Sequence, residues 1–166
     1  MPNHCHNRVT FYENHNSKWD DSTSQIAKLK ELFEGESIFP QIIPEPDWAN
    51  TPLMSSDAPK YDWDKPKGKV GELPQYVEDY AKRLVFKSTG HADDRWYDWR
   101  VNNWDTKWDA YDVVVTDDTD PEQLEVEFNT AWSPPEAICH ALREQYPDVS
   151  ISWFYDEPGC EIAGYL

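Results

Sequence analysis

The residues best suited to chemistry lie in one short stretch, Asn102 to Ala110, which reads NNWDTKWDA. Within it, Asp105 and Asp109 supply carboxylates four residues apart, and Lys107 supplies a cation between them. If these side chains converge in a pocket, they could bind a small ligand or act as acid and base. The stretch is therefore the first candidate for a functional site.

Two tryptophans bracket Lys107 in this stretch. An indole is large and carries one N–H donor, so Trp104 and Trp108 are costly to leave in water. Each can pack inward and anchor the segment on the core, or lie at the surface as a contact with a cation on its face. The two roles are compatible, with one indole for each.

A second stretch, TAWSPP from Thr130 to Pro135, is the expected partner of the first. Ser133 has no glycine elbow around it and is predicted to cap the helix that follows. Outward-facing acids on the preceding strand would give one sheet face a negative charge. The candidate binding residues are Asn103, Trp104, Asp105, Thr106, Lys107, Trp108, Asp109, Glu125, Glu127, Trp132 and Ser133.

Other groups of polar residues lack the partners that known sites need. The opening NHCH does not supply the four converging ligands of a zinc site, and Cys139 and His140 are adjacent on a predicted helix and so face different directions. An HADD sequence at His91 is a weak metal signal, and the acids of residues 117–122 lack the glycine of a calcium loop. We expect no metal, no cofactor and no catalytic residue.

The composition restricts the class of partner. The 166 residues carry a net charge of -17, and the charge is uneven: 14 acidic and 11 basic residues up to Gly90, then 18 acidic and 4 basic. A nucleic-acid backbone or an anionic membrane needs a basic face, so neither is an expected partner. The acidic excess either keeps the protein soluble or forms a functional negative face.

The cellular compartment follows from the cysteines and from the hydropathy. Cys5, Cys139 and Cys160 form no C-x-x-C motif, and an odd number without a secretory signal predicts reduced thiols in a cytosol. No apolar run approaches the roughly 18 residues of a membrane span. We expect a soluble protein that stays in the cytosol where it is made.

Hydrophobic periodicity predicts an alternation of strands and helices. Helical spacing at residues 26–33 gives a first helix, and a second one begins after Pro134. The predicted strands are Arg8 to Tyr12, a short edge strand from Ser37 to Ile43, a buried strand from Tyr111 to Thr116, Gln123 to Asn129, and a terminal hairpin of Val149 to Tyr155 with Cys160 to Tyr165.

Proline density marks an insertion in this pattern. Seven of the thirteen prolines fall between Pro40 and Pro74, which predicts a long irregular segment, and an added helix follows at about residues 75–89. Two strand–helix–strand units sharing one antiparallel sheet indicate a single α+β domain of ferredoxin-like type over residues 1–166, with helices on one face.

The same residues carry a resemblance to a known family. The start of the chain, NNWDTKWDA, TAWSPP before a helix, and the hairpin ending in Gly164 and Tyr165 resemble the Api-like family of phage- and plasmid-borne proteins, which have a ferredoxin-like domain. The resemblance implies that fold, a mobile-element origin and a bacterial cytoplasm, but no activity. His4 and Asp105 replace a tryptophan and a glycine of the family pattern, and Asp105 can keep a left-handed turn.

Two functions remain compatible with the sequence. In the first, a non-enzymatic protein binds and modulates a host protein, either as a nucleic-acid mimic or as another inhibitor of a defence protein; the partner would handle nucleic acid. In the second, the tryptophans and the proline-rich segment line a pocket in which Asp105, Lys107 and Asp109 bind a small ligand or catalyse a reaction. Convergence of those carboxylates in a cleft would favour the second.

Overall fold

The structure, a computed structural model, describes residues 3–13, 24–48, 95–116 and 121–166. The chain divides into two compact units. The first comprises Met1–Pro44 and Arg100–Leu166, and the second comprises Glu45–Trp99. The predicted helix at 75–89 and most of the predicted insertion at 40–74 lie outside the described residues.

The described residues form five strands and four helices, numbered here in chain order. The strands are β1 (His4–Glu13), β2 (Tyr111–Thr116), β3 (Gln123–Ala131), β4 (Val149–Glu157) and β5 (Ile162–Tyr165), and the helices are α1 (Gln25–Glu34), α2 (Ile38–Ile42), α3 (Arg95–Trp104) and α4 (Glu136–Gln145).

All five strands belong to one antiparallel sheet in the order β2-β3-β1-β4-β5. β1 is central, and its Val9 pairs with Val126 of β3 on one side and with Trp153 of β4 on the other. The first four strands in this order, with helices between β1 and β2 and between β3 and β4, form the split arrangement of a ferredoxin-like domain. The predicted α+β fold is confirmed.

The core lies between one face of the sheet and the helices. Residues of β1 alternate, so that Cys5, Val9 and Phe11 are buried while the residues between them are exposed or half-buried, apart from the buried Asn7. The Phe33 ring of α1 packs on Phe11 and on Phe128, with centroids 5.6 and 6.0 Å apart. We call this helix-covered side the inner face.

In the second unit, the described residues are 45–48 and the first half of α3. The Trp48 indole donates to Glu45 over 2.7 Å, and its ring lies edge-on to Trp99 with centroids 6.4 Å apart. The Arg95 guanidinium lies 5.2 Å from the Trp48 centroid and donates to the Trp48 carbonyl. A tryptophan pair with an arginine on it holds these two segments together.

Several predicted elements are confirmed. The predicted helix at residues 26–33 is α1, with Ile26, Leu29 and Phe33 buried. Leu124, Val126 and Phe128 of β3 point inward as expected, and the terminal hairpin forms as β4 and β5.

Two strand predictions were wrong. Ser37 to Ile43 contains helix α2 instead of an edge strand, because Pro40 falls in the first helical turn, where its missing N–H costs nothing. The valines of β2 are not a buried strand: β2 lies at the sheet edge, its residues alternate, and Val114 is 57% exposed. No helix was predicted directly before Trp104, where the structure has α3.

The turn between β4 and β5 depends on a buried carboxylate. Glu157 is fully buried, and its oxygens accept hydrogen bonds from the backbone N–H groups of Gly159 and Cys160. The Cys160 thiol and these N–H donors lower the pKa of Glu157. The charged form is therefore the form that the fold stabilises.

We expect Glu157→Gln to lower the stability near neutral pH. Because the folded-state pKa lies below the unfolded value of about 4.3, the carboxylate stabilises the fold above that value and loses its effect as the pH falls through the folded pKa. Urea unfolding should show the gap between wild type and variant closing in acid. Glu144→Gln, at an exposed position of α4, is the control and should follow the wild type throughout.

Candidate functional site

Trp104 anchors the NNWDTKWDA stretch in the core. Its side chain is fully buried at the end of α3, and its indole donates to the Ile43 carbonyl over 3.1 Å. The ring lies edge-on to Phe39, with centroids 5.8 Å apart, and the Arg100 guanidinium is 4.8 Å from its centroid. Of the two roles weighed for the tryptophans, Trp104 has the anchoring one.

Thr106 joins this stretch to the end of β3. The residue is buried, and its hydroxyl donates to the Ala131 carbonyl over 3.0 Å and accepts from the Ala131 N–H over 3.2 Å. Next to it, the Ser133 hydroxyl donates to the Asp105 carbonyl. The two predicted partner stretches are therefore bonded to each other, and both Thr106 and Ser133 are structural in this arrangement.

Asp105 caps helix α4 from a distance. Its φ of 62° lies in the left-handed region, as the sequence predicted, and its Oδ2 accepts from the Ala137 N–H over 2.8 Å. The prediction that Ser133 caps this helix was wrong. Pro135 occupies the cap position without a side-chain bond, and the Ser133 hydroxyl is bonded to the Asp105 carbonyl instead.

Asp109 has the same role at α2. Its Oδ1 accepts from the Phe39 N–H and from the Ala110 N–H, both over 2.8 Å, while Ser37 at the cap position makes no side-chain bond. Burial raises the pKa of Asp109, and these backbone donors oppose the rise. Asp105 and Asp109 each bond to the second N–H of a different helix, so they do not converge on a common ligand.

The remaining part of the stretch leads toward the surface. The Lys107 ammonium lies 4.3 Å from the centroid of the half-buried Trp108 ring, and Trp108 lies edge-on to Tyr111, with centroids 6.1 Å apart. The Tyr111 hydroxyl is 2.6 Å from His4 Nδ1. Trp132 is 47% exposed, and Asn103 is half-buried at the end of α3. A binding role for Lys107, Trp108 and Trp132 stays a prediction.

A buried polar network beneath the end of the sheet was not anticipated. The Asn7 amide donates to the Cys5 carbonyl and to the Thr130 hydroxyl and accepts from the Trp153 indole, over 3.0 to 3.1 Å. Thr130 in turn donates to the Ser133 carbonyl over 2.7 Å. The signal was an asparagine among the inward positions of β1, which requires buried hydrogen-bond partners.

The pKa of each of the three cysteine thiols is raised. Burial raises the pKa of Cys5 to about 11 and also raises that of Cys139. The pKa of Cys160 is raised mainly by its hydrogen bond to Glu157. Because the thiolate is the reactive form, each of these shifts disfavours it.

The sheet face opposite the helices, here called the outer face, collects the outward side chains. On β1, His4, His6, Arg8 and Tyr12 are exposed, and the last three are in register with outward residues of β3 and β4. The outer face includes the predicted Glu125 and Glu127; Glu125 accepts from Gln123 and Glu127 pairs with Arg8. The carboxylates on it are Asp112, Glu125, Glu127 and Asp156.

A groove of about 440 Å³ runs across the outer face. Its volume falls within the range of ligand sites. It is lined by residues of four neighbouring strands, β2, β3, β1 and β4, and includes both apolar and charged side chains, among them Val114, Phe154, Arg8, Asp112, Glu127 and Asp156.

No metal centre or membrane helix is found in the described part. Within residues 3–13, 24–48, 95–116 and 121–166, no three histidine, cysteine or acidic side chains come together as metal ligands. Nor does this part contain a helix with the length and apolar character that crossing a membrane requires.

The sheet order and the helices on one face define a ferredoxin-like α+β domain. Residues 103–166 match the family model of the ferredoxin-like domain in Api92-like protein. Along almost its whole length the chain is also similar in fold to the crystal structure of the protein api92 from Yersinia pseudotuberculosis: the TM-score is 0.53 at 12% identity, covering 99% of this chain and 93% of that one. No curated protein matches the sequence.

We expect Trp104→Ala to lower the free energy of unfolding by about 3 to 5 kcal/mol, because it leaves a large cavity and an unpaired Ile43 carbonyl. Trp132→Ala removes the same side chain from a half-exposed position and should cost much less. Denaturant unfolding compares them directly. Equal losses would contradict the anchoring role of Trp104.

We expect Asp105→Ala to cost about 1 to 3 kcal/mol, because alanine loses the cap of α4 and is disfavoured in the left-handed region. Asp105→Asn keeps an acceptor oxygen and tolerates that conformation, so it should retain most of the stability. Chemical denaturation measures both. An Asp105→Ala variant as stable as the wild type would argue against the cap.

Proposed function

We propose that the protein is a non-enzymatic, acidic protein of phage or plasmid origin that acts in the bacterial cytoplasm by binding a host protein. The bound surface is the outer face of the sheet, and the partner surface is basic. A basic surface of this kind is typical of proteins that handle nucleic acid, so the protein would compete with nucleic acid as a mimic or inhibit a defence protein.

The single observation that carries this proposal is the charge of the outer face. The outer face carries four carboxylates, those of Asp112, Glu125, Glu127 and Asp156. It also carries the guanidinium of Arg8, which is paired with Glu127 over 2.7 Å. Carboxylates arrayed along neighbouring strands can take the positions that phosphates occupy in a basic groove. Electrostatic complementarity of this type sets the rate and specificity of association.

Aromatic side chains at one end of the sheet extend the outer face. Tyr111 and His4 lie at its end, and Trp108, with Lys107 on its ring, continues from Tyr111. Aromatic side chains near a charged rim are common sites of binding energy in interfaces. In this proposal Trp108 provides an apolar contact beside the carboxylates.

The alternative, a ligand-binding protein or enzyme that uses Asp105 and Asp109, has less support. Each carboxylate holds the N-terminus of a different helix, and the groove described above is lined by neither. Substrate binding there would require breaking a helix cap.

The proposal predicts capture of a basic partner that depends on salt and on the outer face. Tagged full-length protein is incubated with nuclease-treated bacterial lysate at low and at raised salt, and recovered proteins are identified by mass. Retention should fall as the salt rises, because the Debye length shrinks from about 10 Å at 0.1 M to about 3 Å at 1 M.

Two double variants locate the surface. Glu125→Gln with Glu127→Gln removes two charges from the outer face and should abolish capture. Glu31→Gln with Glu144→Gln removes the same charge from exposed positions of α1 and α4 and should leave it intact. The captured protein should also lose nucleic-acid binding when the acidic protein is added. Capture that is unaffected by salt or by the outer-face variant would refute the proposal.

A further inference from the structure

The groove on the outer face already holds one guanidinium. Arg8 stands in register between Glu127 of β3 and Phe154 of β4. Its Nε donates to Glu127 Oε1 over 2.7 Å, and both side chains remain more than half exposed, at 64% and 53%. A guanidinium can thus pair with a carboxylate of the groove, and an aromatic side chain stands at the next register position across β1.

A second carboxylate lies one row further along the groove. Asp156 pairs in register with His6, two positions from Phe154 on the same side of β4. Among the described residues, no lysine or arginine lies within ion-pair distance of Asp156. The position therefore offers a negative charge beside an aromatic ring without a cation of its own in that part of the chain.

The Phe154 ring beside Asp156 packs against a second aromatic ring. It is half-buried and meets the Tyr165 ring edge-on, with centroids 5.3 Å apart, while Tyr165 itself is 73% exposed. At the far side of the groove, Val114 is 57% exposed and Asp112 accepts from the Asn129 amide over 3.2 Å.

We propose that this groove binds an arginine side chain of a basic segment of the partner protein, with its guanidinium paired to Asp156 and stacked on Phe154. This inference rests on the proposed function and names the chemistry of its recognition. Arginine suits the groove better than lysine because its planar group can pair with a carboxylate and stack on a ring together, whereas an ammonium is a strongly hydrated point charge.

Arg8 then competes with the partner's arginine for the carboxylate of Glu127. Its pairing with Glu127 neutralises one carboxylate of the groove. Removing its charge frees Glu127 for an incoming guanidinium and makes the groove more negative. The inference therefore predicts a gain of affinity as well as a loss.

Calorimetric titration of the full chain with a blocked tri-arginine peptide tests this, with a blocked tri-lysine peptide as the matched probe. The arginine peptide should bind more tightly. Asp156→Asn should weaken it by about threefold to tenfold, the range for one partly exposed charge-assisted pair. Phe154→Leu should reduce the preference for arginine over lysine. Arg8→Gln should tighten binding, and Glu144→Gln should change nothing.

Equal affinity for the two peptides, or arginine binding unchanged by Asp156→Asn, would overturn the groove inference. So would the absence of peptide binding by a folded protein. The proposed function would still hold after any of these results, provided that salt-sensitive capture depends on Glu125 and Glu127. Conversely, arginine binding in the groove together with no salt-sensitive basic partner would retain the groove and reject the proposed function.

Discussion

The structure depends on the pair of hydrogen bonds between the Thr106 hydroxyl and the backbone of Ala131. They join the end of α3 to the end of β3, which are separated by the edge strand β2. Because both groups are buried, loss of the hydroxyl would leave two backbone groups unsatisfied. Just before Thr106, Trp104 fills the core and Asp105 caps α4. Three residues after it, Asp109 caps α2. One short segment thus positions two helices against one sheet.

This arrangement explains why the stretch resembled an active site. Two aspartates, a lysine and two tryptophans within six residues have the composition of a catalytic or binding loop, but helix caps and core anchors use the same residue types. What separates the two cases is where the carboxylates point. Asp105 and Asp109 point to backbone N–H groups of different helices, which a sequence pattern alone does not reveal.

Much of the fold was predictable because alternating and helical patterns reflect burial on one face, as in β3 and α1. The errors arose where tertiary contacts override local preference. Helix α2 forms around Pro40 with a cap from Asp109, far away in sequence, and β2 is an edge strand although its valines are typical of a buried one. Of the site, the sequence identified Glu125 and Glu127 on one sheet face. It did not identify Phe154 or Asp156, because their proximity to Arg8 depends on strand order.

In the proposed function, residues 104–109 are structural and the outer face is the binding surface. The most direct measurement is a residue-by-residue map of amide chemical shifts in isotopically labelled protein as the arginine peptide is added. We expect the signals of His6, Arg8 and Phe154 to move with the peptide concentration while those of Asp105 and Thr106 stay in place. Shifts confined to residues 104–109 and Trp132 would contradict it and return the binding site to the tryptophan-rich stretch.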